Sequence, residues 1–249
     1  MELRDKKVIV TGGANGIGRC LIGKLVDENT ILGVFDINQE AIDKLKKDYP
    51  AIFCKNCDVS DPKQVEEAVD DFYGITGAID VLVNNAGIIH SSPLVSIEKG
   101  KIVKYDIDKW DKVISVNLSS VFYVTSQIVQ KMVMKRTRGV IVNVSSICAA
   151  GNIGQSAYSA AKAGVSALTV TWAKELSLWG IRVAGIAPGF TQTETAVGSM
   201  SETNWDDWKK KTPLRRMATP GEIADGILFL IKNDFFNGRI LELDGGLRI

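Results

Sequence analysis

Apolar positions along this chain fall into two alternating kinds of run. Short, almost continuously apolar stretches rich in β-branched residues predict strands at 7–12 (KVIVTG), 30–36 (TILGVFD), 52–58 (IFCKNCD) and 79–85 (IDVLVNN). Three more follow at 139–146 (GVIVNVSS), 181–188 (IRVAGIAP) and 239–245 (RILELDG). Between them, amphipathic stretches predict helices over 16–28, 39–48, 62–73, 109–135, 157–179 and 220–230. Strands that are apolar at every position need cover on both faces, as in a parallel sheet wrapped by helices. The pattern therefore predicts a doubly wound α/β domain. No internal repeat, low-complexity tract or linker interrupts it, so residues 1–249 read as one domain.

Two connections are too long for this scheme, about 88–108 and about 190–219. Long connections in compact domains are usually functional, and both follow the carboxyl ends of strands, where open α/β sheets bind ligands.

Composition narrows the class without choosing within it. Thirty basic and 29 acidic residues give a formal charge of +1, too weak a field to draw nucleic acid or an anionic membrane. No apolar run approaches the roughly 20 residues needed to span a bilayer. The opening MELRDKK runs straight into a strand without the apolar core of a secretory signal, so a cytoplasmic location is expected. Cys54 and Cys57 form a CxxC, but no second pair accompanies them and the single histidine, His90, lies far along the chain. No metal site is expected, and the four cysteines read as incidental thiols.

The first strand ends in TGGANGIG, with glycines at 12, 16 and 18 just where a helix opens. Such a turn lets backbone approach a pyrophosphate and points helix N-terminal N–H groups at it. The second strand ends in Asp36, placed to accept hydrogen bonds from ribose hydroxyls and to repel a 2′-phosphate. Asn15 and Ile37 beside these positions are neutral, which favours NAD over NADP.

A third feature is SAYSAAKAGV, in which Tyr158 and Lys162 stand four apart on one helix face among small residues. A cation near a phenol favours the phenolate, which an unperturbed tyrosine reaches only near pH 10. The pair thus suits a general base and the charge that tunes it.

Taken together, TGGANGIG (11–18), NNAG (84–87), Asn117 in ISVNLSSVF, NVSS (143–146), YSAAK (158–162) and PGFTQT (188–193) fall in register. This resembles the short-chain dehydrogenase/reductase family, in its branch of about 250 residues, across essentially the whole chain. The resemblance implies a single-domain Rossmann fold with a seven-stranded parallel sheet, a nicotinamide cofactor and a homotetramer or homodimer. It implies Gly12, Asn15, Gly16, Ile17 and Gly18 at the pyrophosphate, Asp36 and Ile37 at the ribose, and Asp58 and Val59 at the adenine. Asn85, Ala86 and Gly87 would line the cofactor, and Pro188, Gly189 and Thr191 would hold its nicotinamide end. Asn117, Ser146, Tyr158 and Lys162 would be catalytic, with Tyr158 and Lys162 also meeting the cofactor.

The serine is the least direct of these. Counting back from Tyr158 selects Ser145, whereas strand position selects Ser146; a one-residue deletion in the intervening loop reconciles them in favour of Ser146. Asn117 fits either a helix residue that holds a water for proton relay or a polar residue that bends the helix.

The loop after NNAG is longer than usual for the family by roughly eight residues. Its IEKGK and the closing FFNGRILELDGGLRI look like short-chain 3-hydroxyacyl-CoA dehydrogenases, while SSICAAGNIGQSAYSAAKAGV looks like 3-oxoacyl-thioester reductases. Lys99, Lys101 and Lys104 suit either a CoA phosphate or plain solvation, and Trp205 and Trp208 either a substrate lid or packing. The expected activity is NAD-dependent interconversion of a secondary alcohol and a ketone, best a 3-hydroxyacyl thioester. A sugar, polyol, steroid or other small alcohol is the alternative substrate. A non-catalytic NAD-binding regulator would be expected to have lost Tyr158 or Lys162, and both are present.

Overall fold

A computed structural model of the chain describes residues 1–193 and 202–249. All seven expected strands form: β1 (Lys7–Thr11), β2 (Ile31–Asp36), β3 (Phe53–Asn56), β4 (Val81–Asn84), β7 (Val140–Val144), β8 (Arg182–Pro188) and β9 (Ile240–Leu243). They pair in parallel in the order β3-β2-β1-β4-β7-β8-β9. The order reverses between β1 and β4, which opens a crevice at their carboxyl ends. This is a Rossmann-type α/β fold.

Alternation along each strand explains why the runs are apolar throughout. Val8, Val10, Val81, Val83, Val140 and Val142 enter one core with α1 (Gly16–Asp27), α2 (Gln39–Asp48) and α8 (Pro220–Lys232). Ile9, Leu82 and Ile141, from the same strands, enter the opposite core with α3 (Pro62–Thr76), α5 (Ser120–Lys135) and α6 (Ser156–Glu175).

A polar strap crosses the middle of the sheet. Asn84 and Asn143 stand opposite each other in the β4–β7 register, and the Asn84 amide donates to Asn143 Oδ1 at 2.9 Å. The same amide donates to Thr125 of α5 at 2.9 Å, and Asn143 donates to Thr169 of α6 at 2.9 Å. All four side chains are buried and each is matched.

Two elements differ from the expectation. The helix over 109–135 is two helices, α4 (Ile107–Ile114) and α5, joined by a π-helical turn at Ser115–Ser119 that contains Asn117. The long connection after β4 folds into an antiparallel hairpin, β5 (Val95–Glu98) and β6 (Lys101–Lys104). Positive φ at Lys99 (49°) and Gly100 (78°) gives the two-residue turn whose twist suits a hairpin. In the second long connection, α7 spans Glu202–Lys211. Among the described residues no helix is long and apolar enough to cross a membrane.

Candidate active site

A cavity of about 430 Å³ opens at the carboxyl ends of β1, β4, β7 and β8. Gly12, Asn15, Gly16, Ile17, Asp36, Ile37, Asp58, Val59, Asn85, Ala86 and Gly87 line it, as do Pro188, Gly189 and Thr191. Asn117, Ser146, Tyr158 and Lys162 line it too, so one cavity gathers every expected site residue except Gly18. A Cβ at residue 18 would lie 2.3 Å from the Gly12 carbonyl oxygen and 2.8 Å from Asn85 Nδ2. Gly18 therefore lets α1 seat closely against the glycine turn.

At one end, Gly12 and Gly16 take positive φ (61° and 54°) and carry the chain from β1 into α1. The N-cap of α1, Asn15, makes no side-chain capping bond, and the first turn holds no acid. Asn38, Asp61 and Thr219 do cap α2, α3 and α8. The start of α1 thus keeps its N–H donors for an anion, which is what a nucleotide diphosphate requires.

Asp36 is 7% exposed, and its two oxygens accept from Ala14 N and Asn38 N at 3.0 Å each. One lone pair on each oxygen is left for ribose hydroxyls. Beyond it, Asp58 is pushed up by burial, but Ser60 and Lys112 outweigh this and hold its carboxyl below the usual range. Among the described lining residues the only cations are Lys112, which pairs with Asp58 at 3.4 Å, and Lys162.

The other end carries the polar cluster. Lys162 is buried and donates from Nζ to the Val144 carbonyl at 2.7 Å, with Nζ 5.7 Å from the centre of the Tyr158 ring. Burial pushes the Tyr158 phenol up to about 12, reinforced by Cys148 and opposed by a hydrogen bond with Ser146. Burial likewise pulls the Lys162 ammonium down to about 8. The lysine's expected pull on the phenol is not among the causes of this shift: with protein groups alone, loss of water governs both residues.

The two serines separate cleanly. Ser145 Oγ donates to the Lys162 carbonyl at 2.9 Å and lies 2.8 Å from Ser166 Oγ, so it ties β7 to α6. Ser146 Oγ shares the cavity lining with Tyr158, draws the phenol's pKa down, and accepts from Cys148 N at 3.1 Å, which leaves its own hydrogen to donate. The structure thus places Ser146, not Ser145, with the tyrosine. Asn117 is fully buried; its amide donates to Ile88 O at 2.8 Å and accepts from Ile88 N at 3.0 Å. A Cβ on Gly87 would lie 2.6 Å from Asn117 Oδ1, so that glycine makes room for the amide.

Lys99, Lys101 and Lys104 ride on the exposed hairpin. Trp205 is buried, whereas Trp208 stacks on Phe190 with ring centres 4.4 Å apart. Phe190 lines the cavity, so α7 reaches it through this pair. The sequence reading missed Cys57, Cys148, Gln155 and Lys112 in the lining. Cys57 and Cys148 carry thiols raised by burial, Cys57 to about 12. Their places follow from the end of β3 and the turn after β7, which motif spacing alone does not define.

Comparison with known proteins agrees with this geometry. The family described as short chain dehydrogenase matches residues 6–204. The 3-oxoacyl-[acyl-carrier-protein] reductase of Thermotoga maritima is 38% identical over 100% of both chains. The enzyme of the same name from Chlamydia muridarum is 36% identical over 98% of each. Among solved structures, levodione reductase superposes with a TM-score of 0.89 at 30% identity, covering 98% of both chains. The chain belongs to the short-chain dehydrogenase family and is an oxidoreductase acting on CH–OH groups.

Proposed function

We propose that this enzyme interconverts a 3-hydroxyacyl thioester and the 3-oxoacyl thioester, with NAD as hydride carrier. The observation that carries the chemistry is the meeting of Ser146, Tyr158 and Lys162 at one end of a cavity whose other end is a nucleotide cradle. The thioester rests on relatives named for 3-oxoacyl substrates along their full length. NAD rests on Asp36, an acid with no cation beside it in the described lining.

When bound, oxidised NAD supplies the hydride acceptor and a positive charge near the phenol. Gly12 and the first turn of α1 would hold the diphosphate, Asp36 and Ile37 the adenosine ribose, and Asp58 and Val59 the adenine. Asn85, Ala86 and Gly87 line the middle, and Pro188, Gly189, Thr191 and Lys162 fix the nicotinamide end. Ser146 donates its hydrogen to the substrate oxygen while one of its two lone pairs accepts from Cys148 N. Tyr158 takes the hydroxyl proton during oxidation and returns it during reduction. A phenol held at about 12 needs added positive charge before it can act as a base near neutrality. Asn117 secures the loop at Ile88 to the π turn with one donor and one acceptor of its amide, which leaves a second N–H and a second lone pair for a relay water.

Exposed Phe122 on α5, with Leu178 and Trp179 after α6, supports a homotetramer or homodimer. We place the enzyme in the cytoplasm. The structure named levodione reductase favours a second reading, a free ketone.

The test is NADH formation over 3-hydroxybutyryl-CoA, a polyol and a hydroxysteroid, with Tyr158→Phe as control. The thioester should give the highest kcat/KM, and Tyr158→Phe should lower kcat by about 10²–10⁴-fold. Full turnover by Tyr158→Phe would remove the base from the mechanism. NAD binding without turnover of any alcohol would favour a regulator instead.

A further inference from the structure

The segment between β4 and α4 reaches past the cavity and then returns beneath the catalytic helix. Ser91 Oγ accepts from Gln155 Nε2 at 3.3 Å, and Ser92 N donates to the Gly154 carbonyl at 2.7 Å. Beyond these bonds the β5–β6 hairpin stands out, with Leu94, Val95, Ile97 and Ile102 exposed. An isolated two-stranded hairpin is marginal in water, so its foot must be held. Tyr105 N closes that foot by donating to Leu94 O at 2.9 Å.

The Tyr105 side chain turns inward and is 6% exposed. It forms a small apolar cluster with Val113 and Ala157, against which Ile88 and Tyr158 pack. The His90 ring meets the Tyr105 ring edge-on at 5.8 Å. Ala157 immediately precedes Tyr158, and Gln155 lies one turn before it. The foot of the hairpin therefore grips the first turn of α6 through Gln155, Gly154 and the Tyr105 cluster. Among the described residues the Tyr105 hydroxyl has no hydrogen-bond partner, so the ring supplies the contact.

We propose that Tyr105 is a positioning residue for Tyr158, a buried backstop through which the hairpin and the general base move as one unit. This rests on the reading of Tyr158 as the base. A misplacement of about 1 Å at a reacting group costs about 10²-fold in rate, so a backstop one residue removed has leverage on kcat.

The test uses the full-length enzyme with NAD and the best alcohol of the panel above. Tyr105→Ala is compared with Tyr105→Phe and Tyr105→Leu for kcat, KM, NAD affinity and the pH profile of oxidation. The phenolate absorbance of Tyr158, taken as the difference from Tyr158→Phe, is titrated in each background. Tyr105→Ala should lower kcat about 10–100-fold with NAD affinity within about twofold. Water admitted beside the phenol should bring its titration down by about one pH unit. Tyr105→Phe should keep wild-type values, and Tyr105→Leu should fall between. Loss of activity in Tyr105→Phe equal to that in Tyr105→Ala would overturn the proposal, since the hydroxyl would then matter. An unmoved Tyr158 titration in Tyr105→Ala would overturn it as well. If Tyr105→Ala does not fold, the Phe and Leu variants decide by the same two readouts. Full activity in Tyr158→Phe would instead refute the base assignment.

Discussion

Asp36 does two jobs that substitution can separate. Its carboxylate satisfies two backbone donors, Ala14 N and Asn38 N, and it brings a negative charge to the ribose end. Asp36→Ala removes both functions, whereas Asp36→Asn removes the charge and keeps one acceptor. A 2′-phosphate brought within about 5 Å of the carboxylate meets a repulsion of about 3 kcal/mol at an effective dielectric of about 20. Solvent at the cavity edge reduces this to on the order of 2 kcal/mol, or about 30-fold in selectivity. Both variants should therefore raise the NADP-to-NAD ratio of kcat/KM by about 10–100-fold. Stability should distinguish them. An orphaned buried N–H costs about 1–3 kcal/mol, and each kcal/mol is worth about 2–4 °C in a chain of this length. Asp36→Ala should thus lose on the order of 4–8 °C in Tm and Asp36→Asn about half as much. Steady-state kinetics with both cofactors and thermal melts make the comparison. A ratio unchanged in both variants alongside lowered Tm would show that Asp36 is only a backbone anchor, and the NAD assignment would fall.

Two further outcomes can be checked quickly. Ser146→Ala should lower kcat by about 10²-fold or more and, by orphaning Cys148 N, cost about 1–3 kcal/mol of stability, while Ser145→Ala, which breaks its bonds to α6, should cost about 1–2 kcal/mol and leave kcat within a few-fold; a kcat loss confined to Ser145→Ala would exchange their roles. The Glu222 carboxyl is held down at about 2, chiefly by the forked bond from Arg216. A depressed carboxylate contributes stability above its ordinary value of 4.5, and that contribution fades as pH falls toward 2. The Tm gap between wild type and Arg216→Ala should close across that window, and a gap that persists to its acid end would contradict this.

Much of the fold could be read from the sequence because the strands are buried on both faces. Val8, Ile9 and Val10 serve two cores, so no polar residue interrupts the run. The hairpin was not foreseen because its apolar residues, Ile97 and Ile102, lie on an exposed face and follow no core periodicity. Its Lys99–Gly100 turn was nonetheless a usable signal. The π turn was only half legible: Asn117 could be read as a polar residue bending the helix, but not that it divides α4 from α5. Site residues that belong to a turn or a helix start were legible by spacing. Spacing did not reveal that Gly18 also packs against the Gly12 carbonyl and Asn85. Ser145 and Ser146 needed coordinates because adjacent strand residues face opposite sides and a loop deletion blurs the count.

The strap of Asn84, Asn143, Thr125 and Thr169 constrains how this sequence can drift. Changing either asparagine alone keeps the other's bond to its threonine but leaves one position of its amide unmatched in a dry interior, at about 1–3 kcal/mol. Replacing both by apolar residues of similar shape could cost far less. Variation here should therefore arrive in matched pairs, and a lone substitution at either position should persist only where its opposite number has already changed.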